Sequence, residues 1–180
     1  AFHQPPIEFQ IEILRRHGGP AGIALTRQNI AVFERGEGEA SGDVFASAEG
    51  VARGAYILAE AANGTPDVIL IATGSEVQLA VEARTRLAAE GVQARVVSAP
   101  CLEWFDEHGA AYREHVLPAA VTARVSVEAG ISMPWRGIVG DRGRSISIEH
   151  FGASASFETL FEKFGITTDA VVAAAHEVLG

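Results

Sequence analysis

Three consecutive polar residues, Arg27, Gln28 and Asn29, carry side chains that could bind an anion. They follow residues 22–25, which predict a short strand, and ligands of open α/β sheets bind at the carboxyl ends of strands. The planar guanidinium of Arg27 matches a phosphate, to which it can donate two parallel hydrogen bonds. A surface arginine paired with a carboxylate would explain the same residue, and its position alone does not decide between these two interpretations.

A second candidate is the turn at residues 73–76, which lies between a predicted strand and a predicted helix. Backbone amides at the start of a helix can hold an anion. We expect Ser75 to be the N-cap of this helix, with Gln78 completing a capping box. The turn has neither G-x-G-x-x-G nor G-x-x-x-x-G-K-[ST], and Glu76 already places negative charge at the helix N-terminus. A nucleotide site is therefore unsupported, while a small-anion site stays an alternative.

Other reactive side chains lack the spacing that catalysis needs. Cys101 is the only cysteine, and neither His108 nor His115 is spaced as its base, so we expect an inert, partly buried thiol. Glu128 follows a predicted strand and could either serve a site or cap a loop. Residues 149–156 contain Glu, His and Ser without the G-x-S-x-G turn of a nucleophilic serine, so we expect this loop to cap the next helix.

A strand–helix–strand unit at residues 67–98 positions these candidates. Residues 68–72 are an apolar run that predicts a strand buried on both faces, and the period then changes to that of a helix. Gly91 supplies the left-handed residue that ends this helix, and residues 94–98 return as a second strand. Such units are nearly always parallel and right-handed, so the rest of the chain is expected to pack around this one.

The remaining elements complete an α/β domain. Residues 54–59 predict an antiparallel edge strand, which the turn signal Asn63-Gly64 places beside strand 68–72. Residues 34–53 are rich in Gly, Glu, Ser and Ala and predict an exposed linker. Further strands are predicted at 123–127 and 145–148, and further helices at 7–16, 157–164 and 168–179, with one or two short helices between 106 and 117.

Composition narrows the class of protein. The 180 residues carry a formal net charge of −9 and no cluster of Lys and Arg, which argues against nucleic acid and anionic membrane surfaces as partners. No apolar run approaches the ~20 residues that cross a bilayer. The first ten residues lack the layout of a signal peptide, and a single cysteine fits a reducing compartment, so we expect a cytoplasmic protein.

Six segments, in order and spacing, closely resemble the C-terminal part of bacterial transketolases from about Gly18 to the end of the chain. They are ALTRQN at residues 24–29, RGAYILAEA at 53–61, PDVILIATGSEVQLAVEA at 66–83, PCLEWFDE at 100–107, VSVEAG at 125–130, and EHFGASA followed by LFEKFGIT between 149 and 167.

This resemblance implies an α/β three-layer sandwich with a mostly parallel five-stranded sheet and one antiparallel edge strand. It also implies that residues 1–33 are a remnant of a pyrimidine-binding domain, 34–53 a linker, and 54–180 the complete C-terminal domain. Arg27 matches the arginine of the family's L-[ST]-R-Q-N motif, which binds the phosphate of the sugar. The resemblance thus favours the phosphate interpretation of Arg27.

The intact enzyme of this family uses thiamine diphosphate with Mg²⁺ or Ca²⁺ to move a two-carbon ketol unit from a ketose phosphate to an aldose phosphate, and it is a homodimer. The family's cofactor, metal and catalytic residues have no counterpart in this chain. The resemblance therefore implies a C-terminal fragment that alone binds no cofactor and is inactive.

Two departures from the family pattern stand out. The family usually has Pro two residues after the Asn of R-Q-N, where this chain has Ala31, and the first dozen residues do not match. The alternative is a non-catalytic module that dimerises or binds a small anion at residues 73–76. A related thiamine enzyme is a third possibility, which the R-Q-N motif disfavours.

Overall fold

The computed structural model describes residues 5–16, 18–26, 28–42 and 44–180, with Pro5 and Pro6 described through their backbone only. Five strands form one sheet in the order β1-β3-β2-β4-β5, and the neighbours β3-β2, β2-β4 and β4-β5 are parallel. The strands are β1 (Tyr56–Ala59), β2 (Val68–Ala72), β3 (Ala94–Ser98), β4 (Arg124–Val127) and β5 (Arg144–Ile146).

Strand β1 lies at one edge and is antiparallel, so the mostly parallel sheet with one antiparallel edge strand is confirmed. Its predicted neighbour was wrong, because β1 pairs with β3, with Tyr56 opposite Ser98, and is not paired with β2. Both sides of β2 are occupied by the parallel strands β3 and β4, which bond its backbone groups. The turn at residues 61–64 redirects the chain without forming a hairpin.

Helices cover both faces of the sheet, which confirms the three-layer sandwich. On one face, α2 (Val77–Ala89) and α7 (Thr168–Leu179) pack against inward side chains such as Leu70 and Val96. On the other face, α3 (Leu102–Asp106), α4 (Ala110–Val116) and α5 (Arg136–Val139) pack against Ile69, Ile71 and Val97. Every residue of β2 is buried, as its apolar run predicts.

Two helices show the local signals that start and stop them. In α6 (Phe157–Phe164), the Ser156 hydroxyl accepts a hydrogen bond from the Thr159 N–H, and Gly165 ends the helix in the left-handed conformation. Gly91, just beyond α2, has a φ of 85°. The predicted stop at Gly91 and the predicted start at Ser156 are therefore confirmed.

The N-terminal part differs from prediction in two places. Residues 22–25 form no strand, because no strand among the described residues offers them hydrogen-bond partners and Leu25 stays exposed. The predicted linker is not simply exposed, since Ala46, Ala48 and Val51 are buried and residues Ala48–Arg53 form a 3₁₀ helix. These small apolar side chains fill the space beside β1. The predicted domain boundaries themselves stay a prediction.

Helix α1 (Pro5–Arg15) matches the helix predicted at 7–16 and packs against the domain. The Phe9 ring stacks on Trp104 with centroids 4.6 Å apart, and the Arg16 guanidinium lies 4.1 Å from the same ring. Arg16 also donates a 2.7 Å hydrogen bond to Glu107. Within the described part of the chain, no helix has the length and apolar character needed to cross a membrane.

Candidate functional site at the carboxyl edge of the sheet

The carboxyl ends of β2 and β4 lie side by side, and this is where the connections diverge. The chain leaves β2 toward β3 on one side, and it leaves β4 toward β5 on the other. In open α/β sheets the crevice at such a point is the usual ligand site. The turn at residues 73–76 and the loop at residues 128–130 form its two walls.

The turn after β2 is not capped as expected. Gly74–Glu76 form a 3₁₀ turn, and α2 begins only at Val77. The Ser75 hydroxyl is buried and donates to Glu76 Oε2 at 3.1 Å, while Gln78 Oε1 accepts from the Ala31 N–H at 3.2 Å. The prediction of a capping box is therefore wrong. The 3₁₀ turn points the Ser75 hydroxyl inward to Glu76, and the Gln78 side chain binds the backbone of another segment instead of the start of its own helix.

A buried carboxylate occupies the centre of the crevice. Glu76 is 6% exposed, and its Oε1 accepts from the Ala129 N–H at 3.3 Å. Burial raises the pKa of the Glu76 carboxyl, and the nearby charge of Glu128 raises it further, against the opposing effect of the hydrogen bonds from backbone N–H groups and Ser75. Since this negative group stands where an anion would approach, the geometry does not favour a small-anion site at the turn.

Glu128 has a structural contact that explains its position. Its Oε2 accepts a 2.7 Å hydrogen bond from the Trp135 indole N–H. Gly130 follows closely, and a Cβ built there would lie 3.3 Å from the Glu128 carboxyl group. The sequence left Glu128 open between a site residue and a loop cap, and in the structure its carboxylate binds a side chain seven residues further along the chain.

The R-Q-N segment meets this edge of the sheet through residue 31. Arg27 lies outside the described residues, so its predicted phosphate contact stays a prediction. On either side of it, the Thr26 hydroxyl donates to Gln28 Oε1, and the Ala31 N–H bonds to Gln78. That last bond requires an N–H at position 31, which Pro would lack.

Comparisons with known proteins agree with this architecture. The family described as Transketolase-like TK C-terminal domain matches residues 54–167. The transketolase of Mycobacterium tuberculosis is 51% identical over 172 residues, which cover 93% of this chain and 23% of that protein. This chain belongs to the transketolase family.

Solved transketolase structures share the fold. A transketolase from Leishmania mexicana matches with a TM-score of 0.68 and 41% identity over 74% of this chain and 19% of that one. A Pichia stipitis transketolase in complex with sedoheptulose 7-phosphate matches with a TM-score of 0.67, 33% identity and the same coverage. The chain spans less than a quarter of the length of the curated relatives it matches.

The other reactive side chains that the sequence singles out make structural contacts. Burial raises the pKa of the Cys101 thiol, whose sulfur lies 3.5 Å from a Glu103 carboxylate oxygen, which agrees with an inert thiol. Glu149 accepts from the Ser132 N–H and the Ser147 hydroxyl, and Ser156 caps α6. No Ser–His–Glu relay is assembled among these described residues.

The described residues do not fit thiamine diphosphate with its metal. Across residues 5–16, 18–26, 28–42 and 44–180, no group of three or more His, Cys, Asp and Glu side chains could hold a metal ion. The crevice that could take a diphosphate presents the carboxyl group of Glu76. The expected failure of the isolated chain to bind the cofactor stays a prediction.

Sequence reasoning missed the bonds that join distant loops here. Ala31 meets Gln78 across 47 residues, and Glu76 meets Ala129 across 53. The available signal was a glutamate placed four residues after the end of a fully apolar strand. The sequence predicts that this glutamate complements the helix dipole, whereas the buried carboxylate of Glu76 accepts a bond from the Ala129 N–H in the loop after β4.

Proposed function

We propose that this chain is the C-terminal part of a transketolase, a homodimeric cytoplasmic enzyme that transfers a two-carbon ketol unit from a ketose phosphate to an aldose phosphate. The observation that carries the proposal is the 51% identity to the Mycobacterium tuberculosis transketolase over nearly the whole chain. The sugar phosphate in the Pichia stipitis complex supports the class of substrate.

The cofactors of the intact enzyme, thiamine diphosphate and Mg²⁺ or Ca²⁺, are held in this proposal by parts of the protein beyond the segment that this chain matches. The described residues offer no fitting metal ligands. The isolated chain is therefore expected to bind no thiamine diphosphate and to transfer no ketol unit. Its contribution to the enzyme is a folded support for the segment that carries Arg27.

Arg27 is proposed to bind the phosphate of the sugar. Support comes from its match to the L-[ST]-R-Q-N motif and from the guanidinium geometry that suits a phosphate. The 3.2 Å hydrogen bond from Ala31 to Gln78 ties the following residues to the carboxyl edge of the sheet. Gln78 is thus a positioning residue, which acts on the substrate only through the R-Q-N segment.

The test is a chimera in which this chain, from residue 18 onward, replaces the matching segment of the Mycobacterium tuberculosis transketolase. We expect thiamine-diphosphate-dependent transfer from xylulose 5-phosphate to ribose 5-phosphate. Because a hydrogen bond to a charged group contributes about 1.5–3 kcal/mol, Arg27→Gln should raise KM for the phosphorylated donor by roughly 10- to 100-fold. The same variant should react normally with hydroxypyruvate and glycolaldehyde, which carry no phosphate.

Two further variants separate positioning from binding. Gln78→Ala should raise KM for sugar phosphates severalfold at nearly constant kcat, whereas Gln78→Glu keeps an acceptor for the Ala31 N–H and should behave like the parent. An inactive but folded chimera would contradict the proposed function. Equal loss of activity with phosphorylated and phosphate-free substrates in Arg27→Gln would contradict the role of Arg27 alone.

A further inference from the structure

A cavity of about 280 Å³ lies at the β1 edge of the sheet, away from the crevice between β2 and β4. Its walls come from residues 38–40 and 46–53, from β1 and from α4. The side chains that define its chemistry are the buried Tyr56, the half-buried Tyr112 and the exposed Arg53, Glu39 and His115. Nothing in the ketol-transfer proposal makes use of this cavity.

Arg53 brings a positive charge that no carboxylate neutralises among the described residues. Its guanidinium carbon lies 4.7 Å from the centroid of the Tyr112 ring, a cation–π contact, and the exposed side chain keeps N–H donors that a ligand can reach. The Tyr112 ring is fixed in turn, because its hydroxyl donates a 2.8 Å hydrogen bond to the Ala55 carbonyl. The ring therefore gives the exposed Arg53 side chain a fixed surface to lie against.

Tyr56 adds a donor beside this cation. The residue is 4% exposed, and its hydroxyl oxygen accepts a 3.1 Å hydrogen bond from Arg35, which also donates to the Ala46 carbonyl. The hydroxyl proton of Tyr56 is donated to no other described residue. A buried O–H without an acceptor costs free energy, and an acceptor on a ligand would remove that cost.

The mouth of the cavity has the opposite charge. Glu39 is largely exposed, with Oε1 4.0 Å from His115 Nε2, and Glu49, which also lines the cavity, is exposed. Glu60 also lines the cavity, but Arg95 binds both of its carboxylate oxygens at 2.9 and 2.8 Å and neutralises it. A doubly charged phosphate would therefore meet two exposed carboxylates on its way to Arg53.

We propose that this cavity binds a small zwitterion of the α-amino-acid class. Its carboxylate accepts hydrogen bonds from Arg53 and the Tyr56 hydroxyl, its ammonium group faces Glu39 and Glu49, and an apolar side chain lies against the two tyrosine rings. The volume, near the lower end of small-molecule sites, suits a ligand of this size.

The experiment uses the full chain and four probes that separate the contributions of the two charged groups. L-leucine carries both charges, 4-methylpentanoate lacks the ammonium group, 3-methylbutylamine lacks the carboxylate, and inorganic phosphate is a bare anion. Calorimetric titration should show saturable binding of L-leucine, with each leucine analogue at least tenfold weaker and no saturable binding of phosphate. Phosphate binding that equals or exceeds leucine binding, or no saturable binding of L-leucine, would overturn the proposal.

Variants assign the binding to this cavity. Arg53→Gln should weaken L-leucine at least tenfold, whereas Arg113→Gln, which changes an arginine of α4 outside the cavity, should not. The double variant Glu39→Gln/Glu49→Gln alters only exposed side chains, so it keeps the fold. It should weaken L-leucine severalfold while 4-methylpentanoate binds as well or better. Parallel loss of both ligands in the double variant would contradict the proposed orientation, and unchanged leucine binding in Arg53→Gln would contradict the site.

Discussion

Replacing the buried carboxyl of Glu76 with an amide should stabilise the protein at neutral pH and not at acid pH. Burial raises the pKa of this carboxyl above its ordinary value, so the folded state holds the proton more tightly than the unfolded chain. Stability from this group is complete below the ordinary pKa, near 4.3, and falls as the pH rises through the folded-state pKa. Above that range the folded protein carries a constant penalty for a buried charge.

The size of the effect follows from the contacts. Glu76→Gln keeps an oxygen that can accept from the Ala129 N–H, and its new NH₂ group can donate to the Ser75 hydroxyl. The variant loses the desolvation penalty together with the extra strength of two charge-assisted bonds. Because the net shift of the pKa is upward, we expect a gain on the order of 1 kcal/mol at pH 7. For a domain of this size that corresponds to about 2–4 °C in Tm.

Urea unfolding followed by circular dichroism between pH 4 and pH 8 measures the difference between Glu76→Gln and the parent. The gain should be greatest at pH 7–8 and should shrink as the pH falls toward 4. Glu162→Gln is the matched control, because this exposed side chain of α6 should change stability by no more than about 0.5 kcal/mol at any pH. A variant that is less stable than the parent by the same amount at every pH would refute the reasoning.

Three other substitutions should destabilise the fold, each measurable by urea unfolding. Arg95→Ala leaves the carboxylate of Glu60 half-buried without its cation and should cost about 3–5 kcal/mol, whereas Arg95→Ala combined with Glu60→Ala should cost less. Ser156→Ala removes the N-cap of α6 and should cost about 1 kcal/mol, and Ser156→Asp should restore most of it. Gly54→Ala should cost several kcal/mol, roughly 3 or more, because φ is 76° and a Cβ would lie 2.3 Å from the Cys101 carbonyl oxygen. Full stability in any of these variants would contradict the contact it tests.

The central unit at residues 67–98 could be predicted because its signals are local. An apolar run of five residues forms β2, Gly91 stops α2, and the short return to β3 requires a parallel arrangement. The partner of β1 could not be predicted in the same way. Pairing depends on which strand has a free edge, and β2 has none for β1 because β3 and β4 occupy both of its sides, whereas β3 has one side left.

At the candidate site, the sequence located the turn but not the function of its side chains. Ser75 and Gln78 have the spacing of a capping box, which predicts bonds within one turn of the helix. Because residues 74–76 form a 3₁₀ turn instead, Ser75 points to Glu76 and Gln78 points to Ala31. Local spacing cannot reveal this, since the partners lie on segments that only the folded chain brings together.

The turn after β2 joins three parts of the carboxyl edge. Ser75 fixes the Glu76 carboxyl, Glu76 holds the backbone of Ala129 in the loop after β4, and Gln78 holds the backbone of Ala31 next to the R-Q-N segment. The place where many α/β domains bind a ligand is therefore used here to hold other segments of the same chain. A buried carboxylate suits that purpose, since it accepts bonds from backbone N–H groups and discourages anions. The phosphate contact proposed for Arg27 then depends on this turn through Gln78, and not through any ligand bound at the turn itself.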